Sequence, residues 1–292
     1  MEYANLNLEL RHFENLNFFK WIINYATLFS KLKGLENMIA KGRKIVCANH
    51  PDIGKVIGLL LKTYHEALRF TIREELTIKT KFKELGEKFA KNYPYIIKKI
   101  FLNPAFNYMV ETLPGRLSDM FPLDISSESL SASKKNMKTL KKVEKTLINN
   151  EAVVILQFSK NKIESKYHQD LYEFSKTVSR IAYNLYTKKN INVPVILNIF
   201  KGGKGFFPNP LNPTIGYINK PVFIKDYIKL SGLENKVLNS KEVILGFTDF
   251  LEILGAYTMT YKLKVQNKNI AFLEKCINEY SYQAYIDDFF KK

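Results

Sequence analysis

The sequence predicts an α/β protein with a mostly parallel central sheet flanked by helices, and with helical extensions at the N- and C-terminal ends. Short apolar runs rich in β-branched residues alternate with longer segments whose apolar residues recur at helical spacing. This alternation is typical of a parallel sheet, because parallel strands are joined by crossover connections. The predicted strands are 45–48, 69–73, 152–158, 193–199 and 214–224. The predicted helices are 53–66, 74–91, 127–149, 170–188, 241–263 and 267–290.

Three regions are predicted along the chain: an N-terminal helical segment over 1–40, an α/β domain over 41–230 and a C-terminal helical extension over 231–292. Aromatic and aliphatic residues crowd the stretch 18–29, with lysines among and around them. That composition fits a helix lying in a membrane interface. It fits a helix packed over the sheet equally well.

The chain is strongly basic, with 45 Lys and Arg against 28 Asp and Glu and a formal net charge of +17 over 292 residues. Such a charge favours anionic partners: a membrane surface, nucleic acid or acidic small molecules. No uninterrupted apolar stretch reaches the roughly 20 residues that a membrane-spanning helix needs. The two cysteines, Cys47 and Cys276, have no metal-binding spacing, and Cys47 is expected to be a buried apolar residue. A reducing cytoplasm is the expected compartment.

The most informative stretch follows the first strand of the α/β domain. The run 45–48 stops at Asn49-His50-Pro51-Asp52, and helical spacing begins directly afterwards. These residue types favour a turn, and Asp52 is a good N-cap for the helix. A histidine is therefore expected at the carboxyl end of a strand, which is where open α/β sheets place their chemistry.

A strand, then Asn49-His50, then a helix resembles the first motif of the glycerophospholipid acyltransferase family. Four further segments resemble later motifs of that family in the same order, and the set covers roughly residues 40–228. They are Arg69–Leu76, Ala152–Phe158, Val193–Ile196 and Ile215–Val222. The resemblance implies a glycerol-3-phosphate acyltransferase-like α/β domain.

The resemblance also implies an activity: transfer of a fatty acyl group from an acyl thioester to glycerol 3-phosphate or a lysophospholipid. It implies His50 as general base, since histidine exchanges protons well near neutral pH. Asp52 is the nearest carboxylate that could orient the imidazole. Substrate binding is assigned to Asn49, Lys55, Arg73, Lys160 and Lys162. No metal and no cofactor is expected, and acyl-CoA or an acyl carrier protein thioester is the expected co-substrate.

The chain departs from the family pattern at three places. The aspartate that the family has five residues after the histidine is Lys55, and the glutamate of its Phe-Pro-Glu-Gly motif is Lys160. The best match to its second motif, 122–125, lacks the arginine. A catalytically inactive lipid-binding relative is therefore the alternative. A nucleic-acid-binding protein is a second alternative from charge alone, although no recognition motif supports nucleic acid as a partner. The expected location is cytoplasmic and peripheral, on an anionic inner membrane surface carrying the glycerophospholipid substrate.

Overall fold

The structure is a computed structural model. It describes residues 24–25, 27–49, 53–64, 68–73, 121–123, 130–156, 163–202, 209–233 and 240–279, with five isolated positions between 80 and 95. Its strands are β1 (Lys31–Lys33), β2 (Lys44–Ala48), β3 (Leu68–Arg73), β4 (Phe121–Leu123), β5 (Ala152–Leu156), β6 (Glu164–Ser165), β7 (His168–Tyr172), β8 (Val195–Lys201) and β9 (Ile215–Ile218). Its helices are α1 (Ile53–Thr63), α2 (Leu130–Ile148), α3 (Thr177–Lys189), α4 (Ile224–Leu230), α5 (Ser240–Tyr257) and α6 (Ile270–Glu279).

The chain divides into two compact units, residues 1–68 with 146–292 and residues 69–145. In the larger unit the strand order across the sheet is β1-β9-β8-β2-β5. β2 is parallel to both of its neighbours, β5 and β8, and β1 is parallel to β9. Only the β8–β9 pair of these strands is antiparallel. The predicted α/β class with a mostly parallel sheet flanked by helices is confirmed.

The centre of this sheet is fully covered. Every residue of β2 and β5 is buried, as expected for central parallel strands covered by helices on both faces. Even Lys44 exposes no surface, and its ammonium donates to the carbonyl of Ala40 at 2.7 Å. Cys47 exposes no surface, which confirms the prediction of a buried apolar residue at that position.

The strand predicted over 214–224 is shorter than expected and antiparallel to β8. It ends at Ile218, Val222 then forms an isolated bridge with Val195, and α4 begins at Ile224. β8 and β9 are consecutive in the chain and adjacent in the sheet, and adjacent strands joined in this way are antiparallel. The helix α4 is not predicted from the sequence.

The helix predicted over 170–188 begins later than expected. The chain first forms β7, which pairs antiparallel with β6, and α3 starts at Thr177. Leu171 and Phe174 are buried, but they reach the core from a strand and from a loop. Because Leu171, Phe174 and Val178 are three and four residues apart, their spacing predicts a helix, and the strand β7 is not predicted.

In the smaller unit β3 and β4 pair in parallel, with Thr71 opposite Phe121. The helix predicted over 127–149 is α2, and residues 124–129 lie outside the described part of the chain. Four lysines spaced three and four residues apart on this helix are exposed: Lys134, Lys138, Lys141 and Lys145. The sequence places Met137 on the apolar side with Val143, yet Met137 is 45% exposed. The two residues are six positions apart, and at about 3.6 residues per turn six positions do not return to the same face.

The C-terminal region is helical, as predicted. α5 continues into a π-helical turn at Thr258–Lys262, and α6 follows; residues 280–292 lie outside the description. Thr248 of α5 donates from its hydroxyl to Ser179 of α3 at 2.7 Å, which fixes the contact between the two helices. By length and composition Ser240–Lys262 could cross a membrane, but 67% of its apolar window is buried inside the protein.

Parts of the predicted organisation cannot be followed in the structure. Residues 1–23 of the predicted N-terminal segment and most of the helix predicted over 74–91 lie outside the described residues. α1 ends at Thr63, three residues before the predicted end, and Tyr64 follows it. The three predicted regions remain predictions.

Candidate active site

The candidate site is built on Asn49, the first residue after β2. Its side-chain amide donates to the carbonyl oxygen of Phe200 at 2.9 Å, and its side-chain carbonyl accepts from the amide of Phe200 at 2.7 Å. The last backbone pair of the parallel β2–β8 ladder is Ala48 with Asn198. The carboxamide of Asn49 therefore continues the ladder by one step where the backbone of β2 leaves it.

This clamp has an energetic and a geometric effect. It satisfies both backbone groups of Phe200, a residue with no exposed surface, and buried backbone groups left without partners are costly. It also fixes the point at which the chain leaves the carboxyl end of β2. The next residue in the sequence is His50, and both His50 and Asp52 lie outside the described residues.

A second polar pair involves the same strand, β8, two residues before Phe200. The hydroxyl of Tyr64 and the carboxamide of Asn198 are 3.3 to 3.4 Å apart, and both side chains are buried. This contact joins the end of α1 to β8. Sequence reasoning missed it, although an asparagine inside the apolar strand Val195–Lys201 is a signal that could have pointed to a buried polar partner.

Lys55 lies in the first turn of α1 and is only 2% exposed. It is therefore not a solvated surface lysine. This is the position at which the sequence resemblance would place an orienting aspartate.

The structure says little about the three remaining predicted site residues. Lys160 and Lys162 lie outside the described residues, and for Arg73 only the backbone, at the end of β3, is described. Their predicted roles in substrate binding stay predictions. Among the residues that the structure describes, no group of three or more His, Cys, Asp or Glu side chains could hold a metal ion.

His168, to which the sequence assigns no role, is a buried structural residue. It exposes no surface, and its Nδ1 accepts from the amide of Asp170 at 3.1 Å. Burial lowers the pKa of His168, so the ring is held neutral. With Nδ1 as acceptor, the proton of the neutral ring is on Nε2.

A buried carboxylate that the sequence did not single out is Glu252, in the apolar helix α5. It is 6% exposed and accepts from the hydroxyl of Ser165 at 2.5 Å and from the amide of Phe174 at 3.0 Å. Burial raises the pKa of Glu252, against the opposing effect of these two hydrogen bonds. The contacts tie the segment around the β6–β7 hairpin to α5, a structural role.

Comparison with known proteins gives a fold similarity. No protein-family model matches the chain, and no curated protein matches it. Among solved structures, the 1-acyl-sn-glycerophosphate (LPA) acyltransferase PlsC from Thermotoga maritima matches with a TM-score of 0.42 and 13% identity. The match covers 87% of this chain and 88% of that chain. The similarity is one of fold alone.

Proposed function

We propose that this chain is an O-acyltransferase of phospholipid biosynthesis. It would move a fatty acyl group from an acyl thioester to a hydroxyl of glycerol 3-phosphate or a lysophospholipid. The observation that carries the proposal is the clamp between Asn49 and Phe200. It fixes Asn49, the residue that precedes His50 in the sequence, at the carboxyl end of a central strand, where α/β sheets place reacting groups.

The proposed chemistry needs one base and no cofactor. His50 takes the proton of the acceptor hydroxyl while the oxygen attacks the thioester carbonyl. The tetrahedral intermediate collapses by breaking the carbon–sulfur bond, and His50 returns the proton to the leaving thiolate. The products are an ester and a free thiol. Asp52 is the candidate to orient the imidazole, and Arg73, Lys160 and Lys162 are the candidates to bind phosphate.

One observation favours a second candidate function, a lipid-binding relative without catalytic activity. Lys55 is buried where the resemblance would place a carboxylate, and a lysine cannot orient a histidine as a carboxylate does. Such a protein would keep the fold and the ability to bind lipid but would not transfer acyl groups.

Acyl transfer itself separates the two candidates. Purified protein is mixed with a labelled acyl thioester and either glycerol 3-phosphate or a lysophospholipid, and released thiol and labelled ester are measured with and without acceptor. We expect acceptor-dependent release that falls by about 10²- to 10⁴-fold in His50→Ala, the usual contribution of a general base. His12→Ala is the control, because the sequence gives that histidine no role.

Equal activity of His50→Ala and the wild type would remove His50 from the mechanism. An inactive wild type that still binds anionic lipid vesicles would favour the second candidate. Circular dichroism of each variant verifies that a loss of activity is not a loss of folding.

A further inference from the structure

The strand register brings two segments to the end of the sheet that carries Asn49. Lys31 of β1 pairs with Ile215 of β9, and Ile215 pairs with Lys201 of β8. The beginnings of β1 and β9 therefore lie at the same end of the sheet as the carboxyl end of β8. Because β8 is parallel to β2, this is also the carboxyl end of β2, where the clamp of Asn49 is located.

Large apolar side chains are exposed on both segments at this end. Leu28 and Phe29, just before β1, are 62% and 41% exposed, and Leu211, four residues before β9, is 94% exposed. Single exposed apolar residues are ordinary on protein surfaces. Three of them on two segments that enter the same end of one sheet need an explanation.

Hydrogen bonds fix the turns that present these side chains. The amide of Leu211 donates to the side-chain carbonyl of Asn209 at 2.9 Å. On the other segment, the ammonium of Lys62 donates to the hydroxyl of Thr27 at 2.5 Å, and Thr27 is 4% exposed. The amide of Lys31 joins the two segments by donating to the carbonyl of Thr214 at 2.9 Å.

Glycine at position 202 permits close packing at the same place. Its φ is 72°, and a Cβ there would overlap the carbonyl of Pro213 and the side chain of Asn212. The turn that carries Leu211 is thus packed directly against the chain leaving β8.

The charge of these segments is of one sign. Lys31 and Lys33 on the edge strand are exposed, and the sequence has no Asp or Glu from 15 to 35 or from 201 to 225. Apolar side chains with lysines beside them and no carboxylates are what an anionic bilayer binds: the apolar groups enter the headgroup region and the lysines contact lipid phosphates. Three side chains are few for a stable protein partner, which would bury about 800 Å² on each side.

We propose that Leu28, Phe29 and Leu211, with Lys31, form a lipid-contact edge that docks the carboxyl end of the sheet on an anionic bilayer. The biological purpose of this edge rests on the proposed function, because docking would bring the candidate active site to the membrane surface that holds its acceptor. Lipid binding itself requires no catalysis.

The test is co-sedimentation of the full chain with vesicles of phosphatidylcholine containing phosphatidylglycerol, and with phosphatidylcholine alone. We expect binding to the anionic vesicles that weakens about tenfold in Leu211→Glu and in Leu28→Glu, as loss of one buried apolar side chain implies. The control is Leu35→Glu. Leu35 is 53% exposed and follows β1, at the opposite end of the same edge strand, so its substitution should leave binding unchanged.

Three results would overturn the proposal: wild-type binding by Leu211→Glu, an equal loss in Leu35→Glu, or a change of oligomeric state in Leu211→Glu with vesicle binding unchanged. The last would indicate contact with a second copy of the chain.

Acyl transfer to glycerol 3-phosphate without vesicles is measured on the same variants. If the protein is inactive but its lipid binding depends on Leu211, the proposed function is refuted and the lipid-contact edge is supported. If the protein is active but its lipid binding does not depend on Leu211, the lipid-contact edge is refuted and the proposed function is supported.

Discussion

The side chain of Asn49 pairs with both backbone groups of Phe200, a residue 151 positions away in the chain. A carboxamide can do this because it carries a donor and an acceptor side by side, as a peptide group does. The pair closes the β2–β8 ladder at the place where the Asn-His sequence begins. It fixes the residue that directly precedes the candidate base in the sequence.

Replacing Asn49 by alanine should lower the free energy of unfolding by about 1–3 kcal/mol, because both groups of a buried residue lose their partner. Denaturant unfolding of the two proteins measures this. If acyl transfer is present, kcat should fall more than the affinity for the thioester changes, since Asn49 is a positioning residue.

Asn49→Asp is the matched variant. Its carboxylate can still accept from the amide of Phe200 but faces the carbonyl with an oxygen instead of a donor. We expect its stability deficit to shrink as the pH falls through about 4, where an aspartate takes up a proton and regains a donor. A deficit that does not change with pH would argue against the clamp.

Glu252 should make the protein less stable as the pH rises. Burial raises the pKa of its carboxyl in the folded state, so the folded protein binds this proton more tightly than the unfolded chain. The stabilising contribution is complete below the unfolded pKa of about 4.3 and is lost as the pH rises through the folded pKa. As the pH rises above about 4, wild type should therefore lose stability relative to Glu252→Gln. The measurement is the difference in free energy of unfolding at several pH values. A constant difference would show that Glu252 does not titrate in this way.

Two glycines with left-handed backbones should respond differently to alanine. Gly34 and Gly232 have φ values of 75° and 65°. A Cβ at Gly34 would overlap the backbone carbonyl of Ile218, whereas no atom of the described residues lies within 4 Å of a Cβ at Gly232. Gly232→Ala should cost only the left-handed strain, about 1–2 kcal/mol. Gly34→Ala should cost clearly more, because the β1 edge must move. Thermal unfolding of both variants tests this, and equal losses would contradict it.

Arg43 should stabilise the end of α2. Its guanidinium donates to the carbonyl of Leu147 at 2.6 Å and to that of Ile148 at 3.0 Å. Both carbonyls belong to the last turn of α2, where that of Leu147 also accepts from the amide of Asn150 at 3.1 Å, and a cation at a helix C-terminus is favourable. We expect Arg43→Met to lower the free energy of unfolding by about 1–2 kcal/mol, and Arg43→Lys to recover part of the loss. Identical stabilities for Arg43→Met and wild type would remove this role.

The fold class and most elements could be predicted because their signals are local. The apolar runs that became β2 and β5 are continuous in the sequence, and the alternation of runs with helical periods predicted the parallel sheet. The same local reasoning was wrong at β7, where residues three and four apart lie on a strand and a loop. It also missed α4, whose seven residues, Ile224–Leu230, form only two turns.

Of the candidate site, the sequence by itself determined the residue types: an asparagine and a histidine after a buried strand, and a lysine where a family carboxylate is expected. Only the tertiary structure decided that Asn49 pairs with Phe200, that Lys55 is buried, and that Leu28 and Leu211 precede strands at that same end of the sheet. The physical reason is the range of the forces. Propensity and periodicity act over a few neighbouring residues, whereas strand order and register are set by hydrogen bonds and packing between segments that are distant in the chain.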